Sequence, residues 1–387
     1  MLLRLALAAA LLPAAAVGEE SGAGFNLGSE ATLGWTSNAE AMAGGGSDMV
    51  VEHSHSAGFT HSGKGFALRG ALNFAETRYR RLWQENDRQA GAELVLETAL
   101  SPESLMRAEL ALTLHEDGQA IWTSVGFLAA QTPYLKGRAE LEFHAGLGEA
   151  LAVFGLRYGT TRHGETAFDH PALVPFRTRA DTTTIQGDLR LSHRLDEHAA
   201  LTGLVMGFAH MIPEADRRDY GRIPLRALRL AGGIEAVLPL RSSFTLEAGA
   251  DIVWMERAEP GPFIVPYMRS ETTLALAAGF DLRTMLGTRL DLENPADGLA
   301  DWVLEGRAAI GRAIGLSARL EAALFASAAR SLGFDIEHKN TLGAELSART
   351  ALGDNLSVRA ALSQAVHSGL APSHEETRLG LTLAAAI

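Results

Sequence analysis

The sequence predicts an all-β fold: a transmembrane, antiparallel, up-and-down β-barrel of about 16–18 strands, with short periplasmic turns and longer extracellular loops. Three observations carry this expectation. Apolar and polar residues alternate with a period of two in segment after segment of the 387 residues. The connectors alternate too, short turns with long polar stretches, as outer-membrane barrels require and soluble sandwiches do not. Charges interrupt every apolar run beyond the N-terminus, so no later helix can span a membrane, and no helical layer is visible to cover an oily sheet face.

The final strand shows the pattern plainly. Leu379, Leu381, Leu383, Ala385 and Ile387 fall on one face, and Glu376, Arg378, Gly380 and Thr382 on the other. At the other end, segment 25–36 sets Phe25, Leu27, Ala31, Leu33 and Trp35 against Asn26, Glu30, Thr32 and Thr36. After the Gly-rich stretch 42–48 come segments 51–61 and 66–74. Hairpins follow, each a strand pair around turn-forming residues. Segments 90–100 and 105–115 flank Ser101-Pro-Glu-Ser104, and 135–147 and 150–160 flank Gly148-Glu149. Segments 182–195 and 199–211 flank Asp196-Glu-His198, and 228–238 and 244–254 flank 239–243. Segments 303–312 and 316–328 flank 313–315, and 341–352 and 356–367 flank Gly353-Asp-Asn355. The long connectors are 117–134, 162–180, 213–224, 257–270 and 369–374. Segment 274–281 reads as a strand and 289–293 as a short one, which gives roughly 18 strands and brings both chain ends to one side.

Segment 307–330 is Ala-rich, and Ala favours helices. Period two fits it better. Leu316, Ala318, Leu320, Ala322 and Leu324 share one face, and Ser317, Arg319 and Glu321 the other. A one-residue slip would put Arg319 into lipid at roughly 2–4 kcal/mol.

Residues 1–18 read as a secretory signal, with Arg4 as a minimal basic region, an apolar run over 5–12, and small residues at 14–18. Residues 19–387 then form one barrel with no preceding plug or repeat domain, which speaks against transport of the kind that needs a plug. The net charge of −12 disfavours nucleic acid. With no cysteine there are no disulfides and no Cys-based zinc sites.

With the oily face outward, the charged face lines the lumen. The candidate lumen residues, of both signs, are Arg107, Glu109, Lys136, Arg138, Glu140, Glu142, Arg157, Asp188, Arg190, Glu247, Asp251, Arg319, Glu321, Glu345, Arg349 and Arg359, with Glu93 and Glu97 beside them. Charged rings tune ion selectivity in pores, and a mutually paired interior that only stiffens the barrel is the competing account. Trp35, Tyr79, Trp83, Trp122, Tyr134, Tyr158, Trp254, Tyr267 and Trp302 lie at strand ends or in loops, where aromatic girdles sit.

The segment Glu52-His-Ser-His-Ser56 puts His and Ser on opposite faces, so it holds no local dyad, and His53 and His55 alone are too few for a metal. Loop 162–179, with His163, Glu165, Asp169, His170, Arg177 and Arg179, reads as a solvated extracellular loop. Gly44-Gly-Gly46 and Ala231-Gly-Gly-Ile234 match no phosphate loop. No catalytic residue, cofactor or metal site is expected.

The strand–turn–strand unit over 226–247 and the alternating terminal strand resemble the outer-membrane β-barrel porin family called BBP2-like. The terminal strand looks like the sorting signal read by the barrel assembly machinery, although it ends in Ile387 where Phe or Trp is typical. The resemblance implies a Gram-negative outer-membrane location, reached by export with a cleaved signal, and a porin-like passive channel for small hydrophilic solutes. The alternative is a closed structural, adhesive or assembly barrel acting through its loops. The expected partners are outer-membrane lipid, the assembly machinery and small hydrophilic solutes.

Overall fold

A computed structural model describes residues 22–39, 45–123, 126–170, 172–239, 242–256, 261–291, 300–315, 317–332, 338–369 and 372–386. The signal-like segment 1–18, Leu316 and Ile387 lie outside the described residues.

The strands are β1 (Gly22–Thr36), β2 (Asp48–Gly63), β3 (Phe66–Tyr79), β4 (Asp87–Ser101), β5 (Ser104–Thr123), β6 (Gly126–Leu147) and β7 (Ala150–His163). A two-residue β8 (Ala167–Phe168) is followed by β9 (Thr182–Arg194) and β10 (Ala199–Met211), and then by the helix α1 (Glu214–Tyr220). Next come β11 (Leu225–Leu238), β12 (Ser242–Met255), β13 (Phe263–Ala275) and β14 (Phe280–Asp291). The last are β15 (Asp301–Ile314), β16 (Ala318–Ser331), β17 (His338–Ala351), β18 (Leu356–Ser368) and β19 (His374–Ala386). Every wall strand pairs antiparallel with its sequence neighbour, and β7 pairs directly with β9. The first and last strands close the ring from Gly28↔Ala386 to Thr36↔Arg378. β8 is a short addition to β6, so the wall is a closed antiparallel barrel of 18 strands. Closure leaves no free edge, which lipid would not tolerate.

The alternation in the sequence is the alternation of the wall. Leu110, Leu324 and Leu342 point outward with more than half of their surface exposed, whereas Glu109 and Glu247 point inward and are buried. On β5 the outward series runs from Met106 to Leu114 and then turns charged at Glu116. Nine residues of a tilted strand span about 20–25 Å, the height of the apolar band of such barrels. The Ala-rich 307–330 segment is extended, as its charge phase required: β15 and β16 pair from Asp301↔Ser331 to Ile314↔Ala318.

Four expectations are corrected. The stretch 117–134 is not a long connector. β5 and β6 run on as paired strands to Thr123↔Gly126. Above the lipid neither face need be apolar, so the alternation that reveals a strand is lost there although the ladder continues. The strand read at 274–281 is the end of β13, a tight turn and the start of β14, and 289–291 is the far end of β14. The loop read at 257–270 contains the first half of β13 from Phe263. The turn was hidden because Ala277-Ala-Gly279 continues an apolar run, with Ala278 (φ 59°) and Gly279 (φ 75°) both left-handed. Finally, Tyr134 and Tyr267 belong to no girdle. Tyr134 stacks on His115 inside the barrel, and Tyr267 is buried with its hydroxyl on Glu247.

The wall has one short seam. β13 and β14 pair only from Arg269↔Gly287 to Ala275↔Asp281. Beyond that point side chains replace the ladder. The Met268 N–H donates to Thr288 Oγ1 (3.0 Å), and the Pro266 carbonyl accepts from Thr288 Oγ1 (3.3 Å) and from Trp302 Nε1 (2.9 Å). Pro266 has no N–H of its own to satisfy.

Candidate functional site

The inner wall is built by period two. Every second residue of each strand points inward, and the register brings charges on neighbouring strands together. Three ion pairs fix the inward direction because they skip strands. Arg190 on β9 meets Glu247 on β12 (3.4 Å), Arg307 on β15 meets Glu345 on β17 (3.3 Å), and Arg319 on β16 meets Asp281 on β14 (2.7 Å). Side chains converge across a wall only on its concave side.

The candidate residues gather into three networks. On β5–β9, Glu109 accepts from Arg107 (3.0 Å) and, more closely, from Arg138. Arg157 reaches Glu140 (2.6 Å), Asp188 (3.1 Å) and Glu142 (3.4 Å). The register sets Glu109 directly opposite Glu140, a like-charge pair that these arginines offset. On β9–β13, Glu247 and Asp251 are each about 1% exposed. Arg229 grips Asp251 through two bonds (2.7 and 2.9 Å) and lies 3.9 Å over the Tyr267 ring, while Tyr267 donates to Glu247 (3.0 Å). Gly233 sits opposite Glu247, and a Cβ there would collide with the Leu246 carbonyl and the Glu247 backbone. Gly233 thus allows the close approach of β11 to the β12 backbone at the buried Glu247. On β14–β18, Arg319 also lies near Glu321 (3.5 Å), and Arg359 pairs with Glu345 (2.7 Å). Arg349 donates to Ser357 Oγ (3.4 Å), and no carboxylate of the described residues is within ion-pair distance of it. Lys136 sits 5.5 Å over the Tyr134 ring.

In these pairs the carboxylate lies against the wall and the guanidinium stands over it. Arg138 exposes 56% of its side chain above Glu109 at 5%, and Arg359 exposes 50% above Glu345 at 19%. Inward side chains this exposed are not packed over, so the inner wall borders unfilled space. A cavity of about 790 Å3 opens between Lys136, Arg138, Thr160, His210 and Arg179.

Arg179 comes from the 164–181 loop, which is not merely solvated. Thr166 Oγ1 bridges Thr132 (2.9 Å) and Thr178 (2.6 Å), and Arg179 pairs with Asp117 (2.6 Å). Arg177 grips the buried Asp216 of α1, whose other oxygen accepts from the Asp181 N–H (2.6 Å). Tyr220 OH donates to the Arg177 carbonyl (2.8 Å). The loop is thereby pinned to β5, β6 and α1. At its root, burial holds His163 below the ordinary histidine range, and the Arg179 charge adds to the effect.

Sequence reasoning missed Arg229, Arg269, Arg307 and Asp281. Arg229 stands directly opposite Asp251, a register fact that no single strand reveals. Arg269 was lost with the misplaced β13. A Ser–His contact was also invisible within one segment: Ser29 Oγ on β1 lies 3.0 Å from His55 Nδ1 on β2, on the outer face. Among the described residues no polar group orients the other ring nitrogen, so the pair lacks the third member of a triad. His53 meets Glu76 (3.3 Å), and no cluster of three or more metal-ligating side chains occurs among the described residues.

No protein-family model and no curated protein matches the chain. Solved structures do match in fold. The chain is similar to the ferric enterobactin receptor PfeA of Pseudomonas aeruginosa (TM-score 0.54, 10% identity, 95% of this chain and 81% of that one). It is similar to the copper transporter OprC (TM-score 0.57, 6% identity, 96% and 82%). It is also similar to the FrpB iron transporter of Neisseria meningitidis (TM-score 0.55, 10% identity, 89% and 62%). The shared feature is the large closed antiparallel barrel.

Proposed function

We propose that this chain is a porin-like, passive channel for small hydrophilic solutes in the outer membrane of a Gram-negative bacterium. The observation that carries the reading is the inner wall: charged side chains such as Arg138 and Arg359 stand half exposed on the concave face, and Arg138 borders a cavity of about 790 Å3. A barrel stabilised only by a filled interior would bury those arginines. The apolar outer band supports a membrane setting, and the likeness in fold to receptors and transporters supports transport as the class. In this reading β19 carries the signal for barrel assembly, and the short-turn end faces the periplasm.

The test is conductance. Refolded protein in planar bilayers is expected to give stepwise, ohmic current. A preparation that is folded by heat-modifiable gel migration yet electrically silent overturns the reading. The pinned 164–181 loop favours one alternative, a closed barrel that binds a surface partner through an ordered loop block. A silent barrel whose partner capture is lost on shortening 162–180 would establish it.

A further inference from the structure

We infer that the channel prefers anions, and that a rung of three arginines at its short-turn mouth sets the preference; the inference rests on the channel reading above. The register places Arg319 on β16 directly opposite Arg349 on β17, and Arg349 directly opposite Arg359 on β18. Three like charges on one rung of three adjacent strands destabilise a sheet. Nothing in strand pairing asks for them.

The carboxylates nearby do not cancel the rung. Asp281 and Glu321 serve Arg319, and Glu345 serves Arg359. Arg283 on β14 and Arg307 on β15 add to the same wall, so five arginines face three carboxylates there. Gly311 on β15 leaves the space that the Arg319 side chain crosses, since a Cβ at Gly311 would collide with the guanidinium. The layering adds to the excess. Asp281, Glu321 and Glu345 are 19–24% exposed, while the arginines over them are 33–57% exposed. Each pair is then a dipole with its positive end toward the solute. Positive rings in a confined, low-dielectric passage raise the local anion concentration and repel cations. The protein as a whole carries −12, so the preference belongs to the wall and not to the net charge.

The ligand class is small anions, halide or carboxylate in size. The experiment is the reversal potential of the wild-type channel across a KCl gradient, repeated with Arg349→Gln and Arg349→Lys. Among the described residues Arg349 has no carboxylate partner, so neither substitution strands a buried charge there. Wild type is expected to reverse toward the chloride potential. Arg349→Gln should lower the chloride-to-potassium permeability ratio up to about fourfold, because one unit charge roughly 10 Å from the ion in a water-like medium changes the chloride and potassium terms about twofold each, in opposite directions. Arg349→Lys should restore it, and raising the salt should compress all three values. A conducting wild type that is non-selective or cation-selective overturns this inference and leaves the channel reading intact. So does an anion preference that Arg349→Gln leaves unmoved. Absence of conductance overturns both readings.

Discussion

Arg190 on β9 and Glu247 on β12 meet at 3.4 Å across two intervening strands. The contact ties together strands that share no ladder, and the Glu247 carboxylate beneath it is almost fully buried. Glu247→Leu is therefore expected to weaken the barrel by roughly 1–3 kcal/mol, because Tyr267 and Arg269 lose the same partner while the arginines stay partly solvated. Urea unfolding in detergent or lipid, followed by tryptophan fluorescence, measures it.

The outward phase of β16 gives a second expectation. Leu324, 63% exposed on the outer face, meets the middle of the apolar band. Leu324→Arg should cost about 2–4 kcal/mol. Ser327→Arg, three residues on and facing inward, should fold normally and change conductance instead. If the two substitutions were equally harmful, the assignment of faces on this strand would fail.

The tight turn between β13 and β14 holds Ala278 at φ 59°. A left-handed alanine is strained and glycine is not. Ala278→Gly is expected to stabilise the barrel by up to about 1 kcal/mol, net of the extra freedom that glycine has when unfolded. Its midpoint in denaturant should rise with no change in conductance.

His163 gives the loop a pH dependence. Its folded value is depressed by burial and by the Arg179 charge, so the unfolded loop binds a proton more readily than the folded one. The stability it contributes is present above the ordinary histidine value near 6.5 and is lost as pH falls below it. Asp87 is raised to about 6 by burial, with the Asp117 charge adding to the effect, and contributes with the opposite sign, since its protonation favours the fold. The His163 share is the difference between wild type and His163→Gln. Amide protection factors over 164–181, corrected for the intrinsic pH dependence of exchange, should fall from pH 7.5 to 5.5 in wild type by more than in the variant.

The fold was legible wherever lipid dictated it. On β5 and β16–β19 the bilayer demands an apolar outward face, and the alternation recorded that demand residue by residue. It was not legible above the lipid, where 117–123 and 126–134 pair although lipid no longer imposes the alternation, nor at Ala277-Ala-Gly279, where a turn carries no polar signal. The sixteen lumen candidates follow from the phase of single strands. Their partners follow from register, which is a relation between strands. That is why Glu247 was readable as inward, while Arg190 and Tyr267 as its companions were not.

The short β13–β14 ladder has a mechanical corollary. A closed ring under tension shares load among its seams in proportion to their bonds. Seven register pairs hold this one, against nine at β1–β19, where the chain ends meet. The ring is therefore expected to part first within continuous chain, at Pro266, and not at its splice. Thr288 and Trp302 act there as rivets in a panel whose stitching stops halfway.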